Sequence, residues 1–112
     1  MKKRNFQHKE LANGRWNKFS IFAQMANVGA EVGRAINWRE KNKEYSQMAF
    51  ERALELIDLM VEDKNNRSRL KEICRLREVL VDYFAGDNIY NSSDKLWGKY
   101  FYPFNYAARI NT

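Results

Sequence analysis

Apolar residues recur every three or four positions between Ile21 and Phe84, and no proline interrupts this part of the chain. That spacing brings apolar side chains onto one side of an α-helix, whereas a half-buried strand would show them at every second position. The pattern therefore predicts three long helices joined by short polar connections. Their predicted bounds are residues 18–41, 43–63 and 67–85.

The last part of the chain predicts a fourth, shorter helix with an aromatic cluster between Leu96 and Phe104. Pro103 predicts a kink or a break in this segment, because proline lacks a backbone N–H and its ring crowds the preceding turn. Short connections favour antiparallel neighbours. The predicted fold is all-α, an up-down helical bundle of three long helices plus a shorter C-terminal fourth. The alternative is a three-helix core with the aromatic segment laid across it.

Turn and cap residues set the predicted boundaries of these elements. Residues 1–17 are predicted to form a basic, largely irregular arm with Trp16 docked nearby, and residues 18–112 to form the single helical-bundle domain. Serine and asparagine favour helix N-termini, and glycine favours the position after a C-terminus. The candidate caps are Asn66 or Ser68 for the third helix, Gly86 for its end, and Ser92 or Ser93 for the fourth helix.

Two glycines interrupt the inward side of the first helix. Its predicted apolar stripe consists of Phe22, Met25, Ala26, Gly29, Val32, Gly33 and Ile36. Each glycine lowers helix propensity by about 1 kcal/mol. Such a cost favours close approach of a neighbouring helix at both glycines. The same face, together with Trp38, is a candidate surface for self-association, and we expect a homo-oligomer.

The composition bounds the class of protein. With 112 residues, the chain is long enough for one domain whose core needs neither metal nor disulfide. Hydrophobic residues make up 45% and aromatic residues 14%, which excludes a disordered tail. No apolar run is long enough for a membrane span, and the basic start lacks the apolar core of a secretory signal. With a single cysteine, these features predict a cytoplasmic protein without membrane contact.

Positive charge is concentrated in two parts of the chain. The net charge is +6, with +7 in residues 1–43, −4 in residues 44–66 and +3 in residues 67–78. RNA or DNA is one partner that such charge favours. The candidate nucleic-acid contacts are a basic arm and a row at steps of four on the third helix: Lys2, Lys3, Arg4, Arg67, Lys71 and Arg75. The alternative is a solvated basic surface without a ligand.

A second candidate site is a polar stripe on the first helix. Its members, which follow one another at helical spacing, are Asn27, Glu31, Arg34 and Trp38. The functional interpretation is a polar groove lined by an amide, a carboxylate, a guanidinium and an indole. The alternative is an exposed stripe with a salt bridge, in which Trp38 marks a subunit contact.

Catalytic signatures are sparse in this sequence. His8 is the only histidine, so the two Glu-x-x-His motifs of a di-metal carboxylate bundle cannot be built. His8 and Cys74 alone do not make a zinc site. Cys74 is predicted to be a small residue of the core or its boundary. We therefore predict no catalytic residue, no metal site and no cofactor.

The segment from residue 20 to residue 60 carries Asn27, Glu31 and Arg34, followed by Glu44-Tyr45 and an Ala-Leu-Glu-Leu run. In this it resembles the 23S-rRNA intervening-sequence family of four-helix-bundle proteins. That family has an Asn-Ile-Ala-Glu-Gly segment, a nearby basic residue, then Glu-Phe and a long helix. The spacing of Asn27 and Glu31 departs from the family by one residue. The resemblance implies a self-associating bundle with nucleic-acid accessory roles, and it implies no catalytic residue.

The leading expectation is a non-enzymatic helical-bundle interaction protein that self-associates and binds RNA or DNA through basic faces. One alternative is small-molecule binding or an enzymatic function at the polar stripe of the first helix. Another is a protein-protein adaptor whose basic charge has no role in binding.

Overall fold

The computed structural model describes residues 15–110. Within that range the chain forms four α-helices and no strand, which confirms the all-α prediction. The helices are α1 Ile21–Trp38, α2 Lys43–Glu62, α3 Leu70–Ala85 and α4 Asp94–Ile110. Two 3-10 turns, Arg15–Lys18 and Lys64–Arg69, precede α1 and α3 respectively.

Side-chain contacts show that α1 lies antiparallel to α2. Near the end of α1, the Ser46 hydroxyl donates to the Ala35 carbonyl at 2.6 Å. One turn earlier on α1, the Arg52 guanidinium donates to Glu31 at 2.8 Å. Since residue numbers rise on α1 as they fall on α2, the two helices run in opposite directions.

The helix pairs α2–α3 and α1–α4 are antiparallel as well. Phe50 of α2 packs on Phe84 of α3, with ring centroids 5.1 Å apart, and Asp58 pairs with Arg77 at 2.8 Å. On the other side of α1, Phe22 packs against Phe104 of α4 with ring centroids 6.4 Å apart. At the opposite end of α1, Arg39 pairs with Asp94 at 3.1 Å. The chain is thus an up-down bundle, as predicted, and α1 lies between α2 and α4.

Helix α4 is not the shortest helix. It has 17 residues against 16 in α3, and Pro103 lies inside it without ending it. The Pro103 side is exposed, while Trp97 and Phe101 bury the opposite side of α4 in the core. That packing holds the helix together across the one hydrogen bond that proline removes.

Three of the helix starts have side-chain caps of the expected kind. Ser20 caps α1, Asn42 caps α2, and the Ser93 hydroxyl accepts from the Leu96 N–H at the start of α4. The predicted N-terminal caps of the third helix, Asn66 or Ser68, are wrong, whereas Gly86 directly follows its end as predicted. Asp63 accepts from the Asn65 N–H and begins a 3-10 turn, so α3 itself starts only at Leu70.

Part of the predicted arm belongs to the core. Trp16, in the first 3-10 turn, is only 1% exposed and packs with core residues from all four helices. The buried face of α1 is also rotated from the predicted stripe. Its buried residues are Gln24, Met25, Val28, Glu31, Val32 and Ala35. Two of them are polar, and they are accommodated because partners on α2 and the following turn satisfy them.

Candidate nucleic-acid interface

The outward face of α3 carries basic residues, and the inward face of this helix packs in the core. Ile73, Leu76 and Leu80 are buried, so the side chains between them point away from the bundle. Lys71 and Arg75 lie on this outward face, one turn apart, and both are exposed. The register of the apolar stripe therefore places the two predicted cations side by side in solvent.

An open surface depression of about 890 Å³ runs along this face. It is lined by Ser68, Arg69, Lys71, Glu72, Cys74, Arg75 and Glu78. Three cations and two carboxylates line it. Arg69 lies 3.9 Å from Glu72, which offsets one of the cations with one of the carboxylates.

Arg75 is held in place by an aromatic ring. Its guanidinium carbon lies 4.9 Å from the centroid of the Tyr90 ring, a cation–π distance. The Tyr90 hydroxyl in turn donates to Glu78 at 2.8 Å, and that hydrogen bond raises the pKa of Tyr90 above its ordinary value. Glu78 is therefore engaged by Tyr90. Lys71 has no acidic partner among residues 15–110.

Arg67 does not continue the row formed by Lys71 and Arg75. The sequence placed all three on one helix at steps of four, but Arg67 belongs to the 3-10 turn. Arg67 is exposed, yet it does not line the depression. The three-residue period of a 3-10 turn rotates its side chains differently from those of an α-helix. Lys2, Lys3 and Arg4, the predicted basic arm, lie outside the described residues.

A second groove lies between α3 and α4, and it is mainly apolar. It has a volume of about 320 Å³ and is lined by Glu72, Arg75, Leu76, Val79, Ser92, Leu96, Trp97 and Tyr100. Two of these residues, Glu72 and Arg75, also line the basic depression, so the two surfaces are continuous. Burial, with a smaller contribution from the Glu72 charge, raises the pKa of Tyr100 to about 12.

The polar stripe of α1 does not behave as one group. Glu31, 6% exposed, accepts hydrogen bonds from both Arg34 and Arg52. The Asn27 amide instead donates to the Ala23 carbonyl of its own helix at 2.8 Å. Trp38 lies at the end of α1, edge-on to Tyr45 of α2 with ring centroids 5.3 Å apart. The structure thus brings Glu31 and Arg34 together, but it adds Arg52, which joins α1 to α2.

The two glycines of α1 have different surroundings. A Cβ on Gly29 would lie 2.8 Å from Cγ of Phe101, so Gly29 allows the close approach of α4. A Cβ on Gly33 would meet nothing within 4 Å. The prediction of a close helix contact is therefore confirmed for Gly29 and wrong for Gly33. Because α4 covers Gly29, only Gly33 and Trp38 of the predicted self-association face remain open.

Sequence reasoning missed a buried polar network. The Gln24 amide donates to Asp63 at 2.9 Å and to the Trp16 carbonyl at 3.0 Å. The Asn66 amide donates to the Gln24 side-chain oxygen at 2.7 Å and to the Met60 carbonyl at 3.1 Å. Gln24, Asp63 and Asn66 are all buried. The weak signal for it was a glutamine between apolar residues of α1.

Cys74 is exposed on α3 and lines the basic depression, so its predicted place in the core is wrong. It follows the buried Ile73 by one residue, and one residue turns a helix by about 100°. Among residues 15–110, no group of three or more His, Cys, Asp or Glu side chains is placed to hold a metal ion. None of the helices in that range is both long and apolar enough to cross a membrane.

Comparison with known proteins gives no relative. No family model, no curated protein and no solved structure matches this chain. The class is therefore defined by the fold alone: residues 15–110 form a small all-helical protein of four helices.

Proposed function

We propose that this protein is a non-enzymatic helical bundle that binds RNA or DNA through the outward face of α3. The main support is the pair Lys71 and Arg75, exposed side by side in an open depression. Neither has an acidic partner among residues 15–110, while Arg77 on the same helix pairs with Asp58. Exposed cations without a carboxylate partner in that range, in a protein of net charge +6, suit contact with phosphates.

A salt titration tests this proposal. The doubly substituted Lys71→Gln/Arg75→Gln protein should bind a generic single-stranded RNA more weakly. The slope of log affinity against log salt should fall by about one per cation removed. The matched control is Lys41→Gln/Lys43→Gln, which removes the same charge from the α1–α2 connection. Equal effects from both variants, or no binding by the native protein at low salt, would refute the proposal.

Self-association is the second proposed property, and an aromatic patch at one end of the bundle favours it. Trp38, Tyr45 and Met48 are exposed near the α1–α2 connection, and Trp38 is 40% exposed. Large exposed apolar groups are common at protein contacts. Light scattering over a range of concentrations should show a species larger than 13.4 kDa that Trp38→Ser shifts toward the monomer. A monomer at every concentration would remove this part of the proposal.

Two further assignments belong to this proposal. Membership of the 23S-rRNA intervening-sequence family would agree with self-association and with nucleic-acid binding. A cytoplasmic location would agree with the single cysteine. The polar stripe of α1 receives a structural role, because its carboxylate is occupied by Arg34 and Arg52 and its amide by the Ala23 carbonyl.

A further inference from the structure

Contacts with phosphates do not use the apolar groove between α3 and α4. Its apolar lining consists of Leu76, Val79, Leu96, Trp97 and Tyr100. Leu96 is 53% exposed at its rim, and Trp97 is buried. A volume of about 320 Å³ lies at the small end of the range of ligand pockets. The groove therefore suits a small planar apolar group better than a whole helix.

Arg75 joins this groove to the basic depression. It lines both surfaces, and Lys71 lies one turn away on the same face of α3. A ligand that occupies both must carry negative charge next to a flat apolar ring. A nucleotide of a single strand has that combination, because its base is free to leave the stack while its phosphates stay outside.

We propose that the α3–α4 groove receives a base of single-stranded RNA or DNA, while Arg75 and Lys71 contact the neighbouring phosphates. This inference rests on the proposed function and narrows it to single strands. In a duplex the bases are paired and stacked, so they do not reach such a groove. The carboxylates that face the site are Glu72, which lies near Arg69, and Glu78, which accepts from Tyr90. Both therefore have protein partners.

The test compares a short oligo(U) RNA with a duplex RNA of equal length at one salt concentration. Leu96→Gln makes the rim of the groove polar without changing charge, and the exposed position of Leu96 leaves the fold intact. It should weaken oligo(U) binding by roughly fivefold to tenfold and leave duplex binding unchanged. The matched control is Ile110→Gln on the same helix, which is 63% exposed and does not line the groove. It should change neither affinity.

Tryptophan fluorescence gives a second readout of the same site. In a Trp38→Phe background the remaining tryptophans are Trp16, 1% exposed, and Trp97 at the groove. Oligo(U) should quench this emission, since a base in the groove lies against Trp97. Quenching by an acidic amphipathic peptide but not by oligo(U) would make the groove a protein-docking site and overturn the inference.

The remaining outcomes separate this inference from the function on which it rests. If oligo(U) and duplex bind equally and Leu96→Gln has no effect, the groove assignment is wrong and phosphate binding stands. If Leu96→Gln lowers the mass of the assembly measured by light scattering but does not change RNA affinity, a second copy occupies the groove and the inference is again wrong. If neither nucleic acid binds the native protein at low salt, both proposals fall together.

Discussion

Helices α1 and α3 have similar lengths but differ in whether they bury polar side chains. Helix α1 lies between α2 and α4 and buries two polar side chains, Gln24 and Glu31. Helix α3 fully buries only Ile73, Leu76 and Leu80, and none of these is polar. On α1 the buried polar groups hold neighbouring elements in register, whereas on α3 Lys71 and Arg75 remain exposed to a partner.

The difference shows where stability and binding are separated in this bundle. Buried polar groups cost free energy unless every donor and acceptor has a partner, so changes around α1 should affect folding. Exposed charges contribute little to folding, so changes on the outer face of α3 should affect binding alone. Substitutions on each helix test that separation, beginning with those expected to change stability most.

Asn66→Ala should have the largest effect, because it removes the donor to the buried side-chain oxygen of Gln24 on α1. An unsatisfied buried acceptor costs about 1–3 kcal/mol in the free energy of unfolding. Urea denaturation measures this loss. The neighbouring Asn65→Ala is the control, because Asn65 is exposed. A difference below about 0.5 kcal/mol between the two variants would show that the network does not hold α1 in place.

The two glycines of α1 predict opposite signs for the same substitution. Gly29→Ala puts a methyl group 2.8 Å from Cγ of Phe101, and overpacking of this kind costs about 1–3 kcal/mol. Gly33→Ala meets no atom within 4 Å and should stabilise the helix by about 0.5–1 kcal/mol. Thermal and urea unfolding of both proteins gives the signs. Stabilisation by Gly29→Ala would show that α4 does not lie close to α1 there.

On α3, removal of a cation should lower the free energy of unfolding slightly only where that cation forms an ion pair. Arg77 contacts Asp58 of α2 at 2.8 Å, and both side chains are partly exposed. Arg77→Ala should therefore cost about 0.5 kcal/mol, and less at high salt. Lys71→Ala, on the same helix, should leave the free energy of unfolding unchanged within that amount. A larger loss from Lys71→Ala than from Arg77→Ala would contradict the division between the two faces.

The last prediction is a change in stability that appears only at high pH and is absent near neutral pH. Because burial raises the pKa of Tyr100 from 10.0 to about 12, the folded state holds the phenolic proton more tightly than the unfolded state. This contribution is complete below pH 10 and is lost as the pH rises through about 12. In Tyr100→Phe, the part of the loss of stability at high pH that comes from this titration should be absent. Tyrosinate absorbance in the native protein should show a group that titrates near pH 12 and disappears in the variant.

Prediction from the sequence succeeded for the helices but only in part for the contacts between them. Helical spacing predicted α2 with its bounds correct to one residue, because the apolar residues of this segment recur every three or four positions. It did not show that Asn66 points inward, because asparagine in a turn usually acts as a cap. The inward position depends on Gln24, which is 42 residues away in sequence.

Only part of the candidate site could be predicted, because the sequence pattern shows contacts within a helix but not contacts between helices. Lys71 and Arg75 are one helical turn apart, so their proximity follows from local geometry. The failure of Arg67 to join them follows from the 3-10 turn, which packing of Asp63 and Asn66 imposes. The groove beside Arg75 was beyond prediction, because it depends on the distance between α3 and α4.

Local sequence patterns alone were enough to show that residues 15–110 are helical and to place the four helices to within a few residues. These properties depend on residues within a few turns of one another, and local periodicity records them. Only the packed bundle shows which polar groups are buried, which cations of residues 15–110 have a carboxylate partner and where two helices leave a groove. Those features depend on side chains far apart in sequence that meet only when the bundle closes.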